Sequence, residues 1–180
     1  MQKVLLVTGH TYPEFSVANK EIVKELTEAV SGIVVDDLAK LYPDFKIDVK
    51  TEQQKLLDAD VIIIQSPLFW YSASSLIMRW WEETMAHGWA DGSTGTAVKG
   101  KKIVFGITAG APTDVYTSGA CGITDKDILN RFKVSAGFCN MEYLGGRLTG
   151  GLLNAGTGVL SDDAKKAVKE HVDWIVKTIG

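Results

Sequence analysis

Cysteine and proline are scarce, at two and four in 180 residues. Cys121 and Cys139 are too few for a disulfide framework, and neither stands in a C-x-x-C or a metal-like Cys/His spacing. Both read as reduced packing residues, and no metal site is expected. No sign of charge dominates: 19 Lys and Arg face 22 Asp and Glu for a net charge of −3, interspersed along the chain. That leaves no electrostatic footprint for a phosphate backbone, so a nucleic-acid partner is excluded. Long apolar runs are missing too; residues 61–64 form one of the longest, far below the roughly 20 needed to span a bilayer, so membrane attachment could only be peripheral. The chain enters a strand-like run at Lys3 without a basic segment, an apolar signal core or a cleavage site. A cytoplasmic protein is therefore expected. What is present is an ordinary globular balance of 46% hydrophobic and 23% charged residues, with no repeat, low-complexity tract or linker. One compact domain over residues 1–180 is expected, large enough to bury roughly 70% of its unfolded surface without staples.

Four short β-branched runs punctuate the chain, at residues 4–7, 33–35, 61–64 and 103–107. They are continuous rather than alternating, as strands covered on both faces are. Between them lie helical patterns. Ala18, Ile22, Leu26 and Ala29 form an apolar stripe that predicts a helix over 16–30, and Ala164, Val168, Val172, Ile175 and Ile179 repeat it after the capping residues Ser161, Asp162 and Asp163. A fifth, weaker strand is expected at 142–144 and a helix at 126–136. Strand–helix alternation selects a doubly wound α/β fold with a parallel sheet. The helix over 76–85 carries Leu76, Ile77, Met78, Trp80, Trp81 and Met85, more apolar residues than one face can hold. One side is expected on the sheet and the other on a second subunit, anchored by Trp80 or Trp81. Gly and Ser thicken at 91–95 and 145–158, which read as surface loops.

In such sheets ligands bind beyond the carboxyl ends of the strands. After the first strand comes Thr8-Gly9-His10-Thr11-Tyr12-Pro13, with Ser16 and Asn19 at the helix start. This is neither G-x-G-x-x-G nor a P-loop, but a helix N-terminus with Ser16, Asn19 and His10 beside it suits a phosphate or pyrophosphate. Taken alone, a serine N-cap and a surface histidine account for the same residues. After the third strand, Pro67-Leu68-Phe69-Trp70-Tyr71 places three consecutive aromatics at a concave edge, as a planar ligand would require; capping of the core or a subunit interface would require them equally. After the fourth, Thr108-Ala109-Gly110-Ala111 lets backbone amides approach a ligand, and Tyr116 could donate to developing negative charge; a tight turn with an ordinary loop tyrosine is the alternative.

Together these segments resemble the flavodoxin-like NAD(P)H:quinone oxidoreductases, most of all the small ancillary subunits of glutathione-gated potassium efflux systems and the related general stress proteins. The resemblance rests on G-H-T-Y-P-E-F-S-V-A-N (9–19), L-Y-P-D-F-K-I-D (41–48), P-L-F-W-Y-S (67–72), H-G-W-A-D-G (87–92) and T-A-G-A-P (108–112) with Tyr116, in order across nearly the whole chain. It implies a five-stranded sheet of order 2-1-3-4-5, a homodimer with its active sites at the interface, and a flavin across the carboxyl edge. FMN is favoured over FAD because no extra segment is evident to enclose an adenosine. His10, Ser16 and Asn19 would hold the phosphate; Pro67, Leu68, Phe69 and Trp70 would line one side of the ring; Thr108 and Gly110 would meet its polar edge; and Tyr116 would stabilise the reduced ring. The implied activity is two-electron transfer from NADH or NADPH, by way of flavin N5, to a quinone. The alternative is a flavin-bound regulatory subunit associated peripherally with a membrane potassium transporter. Two departures from the family stand out: Ala111 replaces a second glycine, and Gly122 stands where some members carry a histidine partner for the tyrosine.

Overall fold

The computed structural model describes residues 2–153 and 157–180. Five strands, β1 (Val4–Thr8), β2 (Val34–Asp37), β3 (Val61–Pro67), β4 (Lys102–Thr108) and β5 (Glu142–Thr149), form one sheet of order β2-β1-β3-β4-β5. Every neighbouring pair is parallel. The expected doubly wound, flavodoxin-like sheet is therefore present. Side chains alternate between its two faces. Leu6, Ile63 and Val104 point to the face covered by α1 (Val17–Ala29) and α7 (Asp162–Ile179). Leu5, Ile62, Ile64 and Phe105 point to the other, covered by α2 (Leu38–Leu41), α3 (Val49–Asp58), α4 (Ser75–Thr84), α5 (Thr113–Thr117) and α6 (Asp125–Phe138).

Residues 145–149, expected in a surface loop, complete β5, and two further features of the sequence resolve differently from expectation. β2 is a sheet edge, with Val34 and Val35 exposed, so its unbroken apolar run does not signal cover on both faces. The second correction concerns α4. Trp80 is wholly buried within its own chain, and its indole N–H donates to Glu52 Oε2 at 2.8 Å. Trp81 packs edge-on against it and tilted on Phe105. Trp80 is thus held by α3 within its own chain and cannot anchor a partner, whereas Met78 and Trp81 on the same helix are only half-buried.

Glu52 is the centre of a buried polar cluster. It also accepts from Tyr42 Oη at 2.6 Å and from Lys55 Nζ at 2.6 Å, and Lys55 bridges at 2.5 Å to Asp36 on β2. Burial pushes Glu52 up, but the neighbouring Asp36 and the bonds from Lys55, Tyr42 and Trp80 outweigh it and hold the carboxyl below its ordinary value. Asp36 bears the cost. Burial, then the neighbouring Glu52, push it up to about 7, and its Oδ2 has no partner among the described residues.

Candidate functional site

At the carboxyl edge, the ends of β1, β3 and β4 bound a cavity of about 530 Å³. It brings together eight of the ten residues expected at a site: His10, Ser16 and Asn19 from the first loop, Pro67, Leu68 and Phe69 from the second, Thr108 and Gly110 from the third. Trp70 and Tyr116 lie outside it. A second cavity of about 450 Å³ adjoins at His10, Ser16 and Asn19 and adds Lys20, Lys24 and Lys40. Lys24 pairs with Glu21 and Lys40 with Asp37, whereas Lys20 has no ion-pair partner among the described residues.

The first loop gathers donors around the start of α1, with the Glu14 carboxylate on the wall of the adjoining cavity. A 3-10 turn at Pro13–Phe15 delivers the chain to Ser16, the N-cap of α1, whose hydroxyl makes no capping bond although the residue is buried. The orphan amides of the first turn and the positive end of the helix are thus left for a ligand. His10 Nδ1 accepts from the Tyr12 N–H at 3.0 Å, which places the ring proton on Nε2. Burial lowers its pKa, outweighing the nearby Glu14, so the ring is a neutral donor at physiological pH. Asn19 is committed inward: Oδ1 accepts from Gln65 at 2.8 Å and Nδ2 donates to Thr108 Oγ1 at 2.9 Å.

The second loop supplies an apolar wall by an expensive local fold. Phe69 and Ser72 exchange backbone bonds at 2.9 and 3.0 Å around Trp70 and Tyr71, whose φ values are +49° and +61°. Mirror-image turns of this kind favour Asn-Gly, and non-glycine residues there cost about 1–3 kcal/mol each. The turn places Phe69 edge-on to His10 at 5.3 Å and to Tyr12 at 6.1 Å and turns Trp70 outward, 94% exposed. Leu68 N–H then donates to Thr108 O at 2.7 Å, locking the second loop to the third.

The third loop is held by the segment after β5. Ala109 N–H donates to Thr149 O at 2.9 Å, Leu152 N–H to Ala109 O at 3.1 Å and Gly151 N–H to Ala111 O at 2.7 Å. This brings Leu152 and Leu153, both in a segment expected to be a surface loop, to the cavity that Phe69 also lines. Residues 154–156 of that loop lie outside the described residues. Tyr116, on α5, is buried among core side chains, and burial, then Cys121 and Tyr71, raise its pKa. Among the described residues no cluster of His, Cys, Asp and Glu is suited to a metal.

Donors at a helix N-terminus joined to an apolar slot along a parallel-sheet edge define a flavodoxin-like protein, and the chain belongs to the family described as having the flavodoxin-like fold, whose profile matches residues 2–177. Among its relatives, the uncharacterized NAD(P)H oxidoreductase YrkL of Bacillus subtilis is 34% identical over 174 residues, covering 96% of this chain and 97% of that protein. The ancillary protein KefF of the glutathione-regulated potassium-efflux system of Citrobacter koseri is 36% identical over 142 residues, 78% of this chain and 79% of KefF. Among solved structures, general stress protein 14 of Treponema denticola in complex with FMN superposes with a TM-score of 0.84 at 27% identity, over 98% of this chain and 99% of that one.

Proposed function

We propose that this protein is an FMN-dependent NAD(P)H oxidoreductase that passes two electrons to a quinone. The observation that carries the reading is the joining, in one cavity, of an uncapped helix N-terminus and an apolar lining that includes Phe69 and Leu152. Those residues fit FMN by their chemistry. The uncapped first turn of α1, Ser16, His10 Nε2–H and the nearby Lys20 suit a phosphate dianion; Pro67, Leu68, Phe69, Leu152 and Leu153 suit an apolar ring; Gly110 leaves its backbone approachable. Bound there, FMN supplies the hydride acceptance and release that no side chain of the chain can perform. The protein's share is to orient the ring, exclude water from its apolar side and aim donors at the atoms that gain charge. In the net reaction NAD(P)H gives up a hydride, and the quinone takes up two electrons and two protons, the second from solvent, to become a hydroquinone. Tyr116 is proposed, from the family resemblance, as the hydroxyl that meets the reduced ring.

The similarity to KefF favours a second role beside catalysis, peripheral engagement of a membrane potassium transporter. Among the described residues no helix is long and apolar enough to cross a membrane. A homodimer is part of the same reading. Its apolar surface is drawn from Trp70, Val134 and Phe138, all exposed; Arg131 of α6 donates to Tyr71 O at 3.4 Å, which places that helix beside the aromatic turn. The deciding experiment is purification followed by flavin release and chromatography, then NADH and NADPH oxidation with a soluble benzoquinone. One FMN per chain and quinone-dependent turnover are expected. Colourless protein that takes up neither FMN nor FAD overturns the reading, and flavinated protein without turnover leaves only the regulatory role.

A further inference from the structure

Beneath the cavity a line of buried polar side chains runs along the face of the sheet covered by α1 and α7, from α7 to the site. Arg147 Nε donates to Thr149 Oγ1 at 3.3 Å, and Thr149 Oγ1 lies 2.8 Å from His171 Nδ1. His171 Nε2 lies 3.0 Å from Gln65 Oε1, Gln65 Nε2 donates to Asn19 Oδ1, and Asn19 Nδ2 donates to Thr108 Oγ1. Thr149, His171, Gln65, Asn19 and Thr108 are all buried, and the last two line the cavity.

The sense of this line is set at its far end. A guanidinium can only donate, so Thr149 Oγ1 accepts there, and the one acceptor within reach of its own proton, among the described residues, is His171 Nδ1. With Nδ1 accepting, the neutral ring carries its proton on Nε2 and must donate to Gln65 Oε1. The amide of Gln65 then presents Nε2 to Asn19, Asn19 presents Nδ2 to Thr108, and Thr108 Oγ1 is occupied as an acceptor. Its proton has no acceptor among the described residues and is left to the cavity. Burial, then Arg147, depress the pKa of His171 to about 3, so the ring stays neutral across the physiological range.

Gly106 is the sequence mark of this arrangement. It sits in the middle of β4, directly opposite Gln65 in the β3 register. A Cβ there would collide with Gln65 Oε1 and lie 2.6 Å from His171 Nε2. A glycine weakens a strand interior, and here it makes the room in which the histidine and the amide meet.

The geometry points to a one-way hydrogen-bonded chain, from Arg147 through His171 and Gln65 to Asn19, that fixes the Thr108 hydroxyl as a donor to the ligand in the cavity. The ligand atom opposite Thr108 is therefore an acceptor, and His171, which touches no part of the cavity, is a positioning residue for it. This assignment rests on the flavin reading for the identity of the ligand, while the direction of the chain stands without it.

Two measurements test the inference. In apoprotein labelled with 15N-histidine, the chain contributes three rings, and His10→Gln and His87→Gln variants assign them. His171 is expected as the Nε2–H tautomer, unchanged from pH 5 to 8; an Nδ1–H ring overturns the inference, whatever the fate of any other variant. FMN is then titrated into wild type, Thr108→Val, Thr108→Ser, His171→Phe and the Thr108→Val/His171→Phe pair, each checked for native near-ultraviolet dichroism. Thr108→Val is expected to weaken FMN binding about five- to tenfold, the worth of one hydrogen bond, and Thr108→Ser to restore it. His171→Phe is expected to weaken binding at least about twofold in the wild-type background and not at all in the Thr108→Val background, because residues that do not touch couple only through the chain between them. A His171→Phe loss that persists in the Thr108→Val background, or no loss at all, overturns the inference. Wild-type protein that binds no FMN overturns the flavin reading instead, and the tautomer still decides the direction of the chain.

Discussion

Asp36 offers a quantitative test of how the core is held. Its carboxyl is buried between β2 and α3, shares Lys55 with Glu52, and has one oxygen without a partner among the described residues. Burial and then Glu52 raise its pKa from the ordinary 3.8 to about 7. A carboxyl whose pKa is raised by folding adds stability while it holds its proton, below the unfolded value, and loses that contribution as pH rises through the folded one. Between pH 6 and 8 a group with a folded pKa near 7 goes from mostly protonated to mostly ionised, and the loss is about RT ln 10, or about 1.4 kcal/mol. His171 and His10 act in the opposite sense over the same range, since burial lowers both, so wild-type stability alone does not isolate Asp36. The difference between Asp36→Asn and wild type does. Measured by urea unfolding with tryptophan fluorescence at pH 6 and 8, that difference is expected to move by about 1.4 kcal/mol in favour of the variant at the higher pH. In thermal unfolding the same energy corresponds to about 4 °C for a chain of this size. A difference that does not change with pH would refute the assignment of the neutral form to Asp36.

Three further outcomes are expected. Ser16→Asp places a carboxylate at the uncapped N-terminus of α1, where it caps the helix but repels a phosphate; FMN affinity should fall while the melting temperature holds or rises, and unchanged flavin content would move the phosphate elsewhere. Gly106→Ala inserts a methyl group against Gln65 and His171 and should cost about 1–3 kcal/mol in chemical denaturation, with a silent substitution showing that the two side chains can separate. Tyr116→Phe should leave FMN affinity intact and slow flavin reduction by NADH about tenfold in rapid mixing, the loss of one hydrogen bond of about 1.4 kcal/mol. An unchanged rate would leave Tyr116 with the packing role its burial already describes.

Strands and the long helices were legible because their apolar residues repeat with the right period. α3 was not, for a specific reason: the residues it buries are Glu52 and Leu56, so a charged side chain occupies one of its two core positions and erases the stripe. The same carboxylate explains why Trp80 does not serve as an anchor, since it supplies the partner that lets the indole turn inward. At the site, eight residues meet because the carboxyl ends of the strands of a parallel sheet lie along one edge. Leu152 and Leu153 escaped notice because backbone bonds to Ala109 and Ala111, rather than any pattern of residue types, carry them there. The outward turn of Trp70 depends on two positive φ angles that no aromatic dipeptide advertises. Asn19 lines the cavity, but the inward commitment of its side chain became visible only with Gln65 and His171, 46 residues away from it along one bond and 106 along the next.

That last separation bears on how the chain is made. α1 and α7 close the same face of the sheet, over Leu6, Ile63 and Val104, although some 130 residues of synthesis lie between them. While β1 to β5 emerge from a ribosome, α1 can dock, but half of that face stays open to chaperones and to other nascent chains. His171 arrives with the final helix, so the side chains under the cavity take up their fixed directions only when α7 seats. A ribosome-bound intermediate lacking α7 is therefore expected to hold the cradle for a phosphate at the start of α1 while its Thr108 hydroxyl is still free to turn.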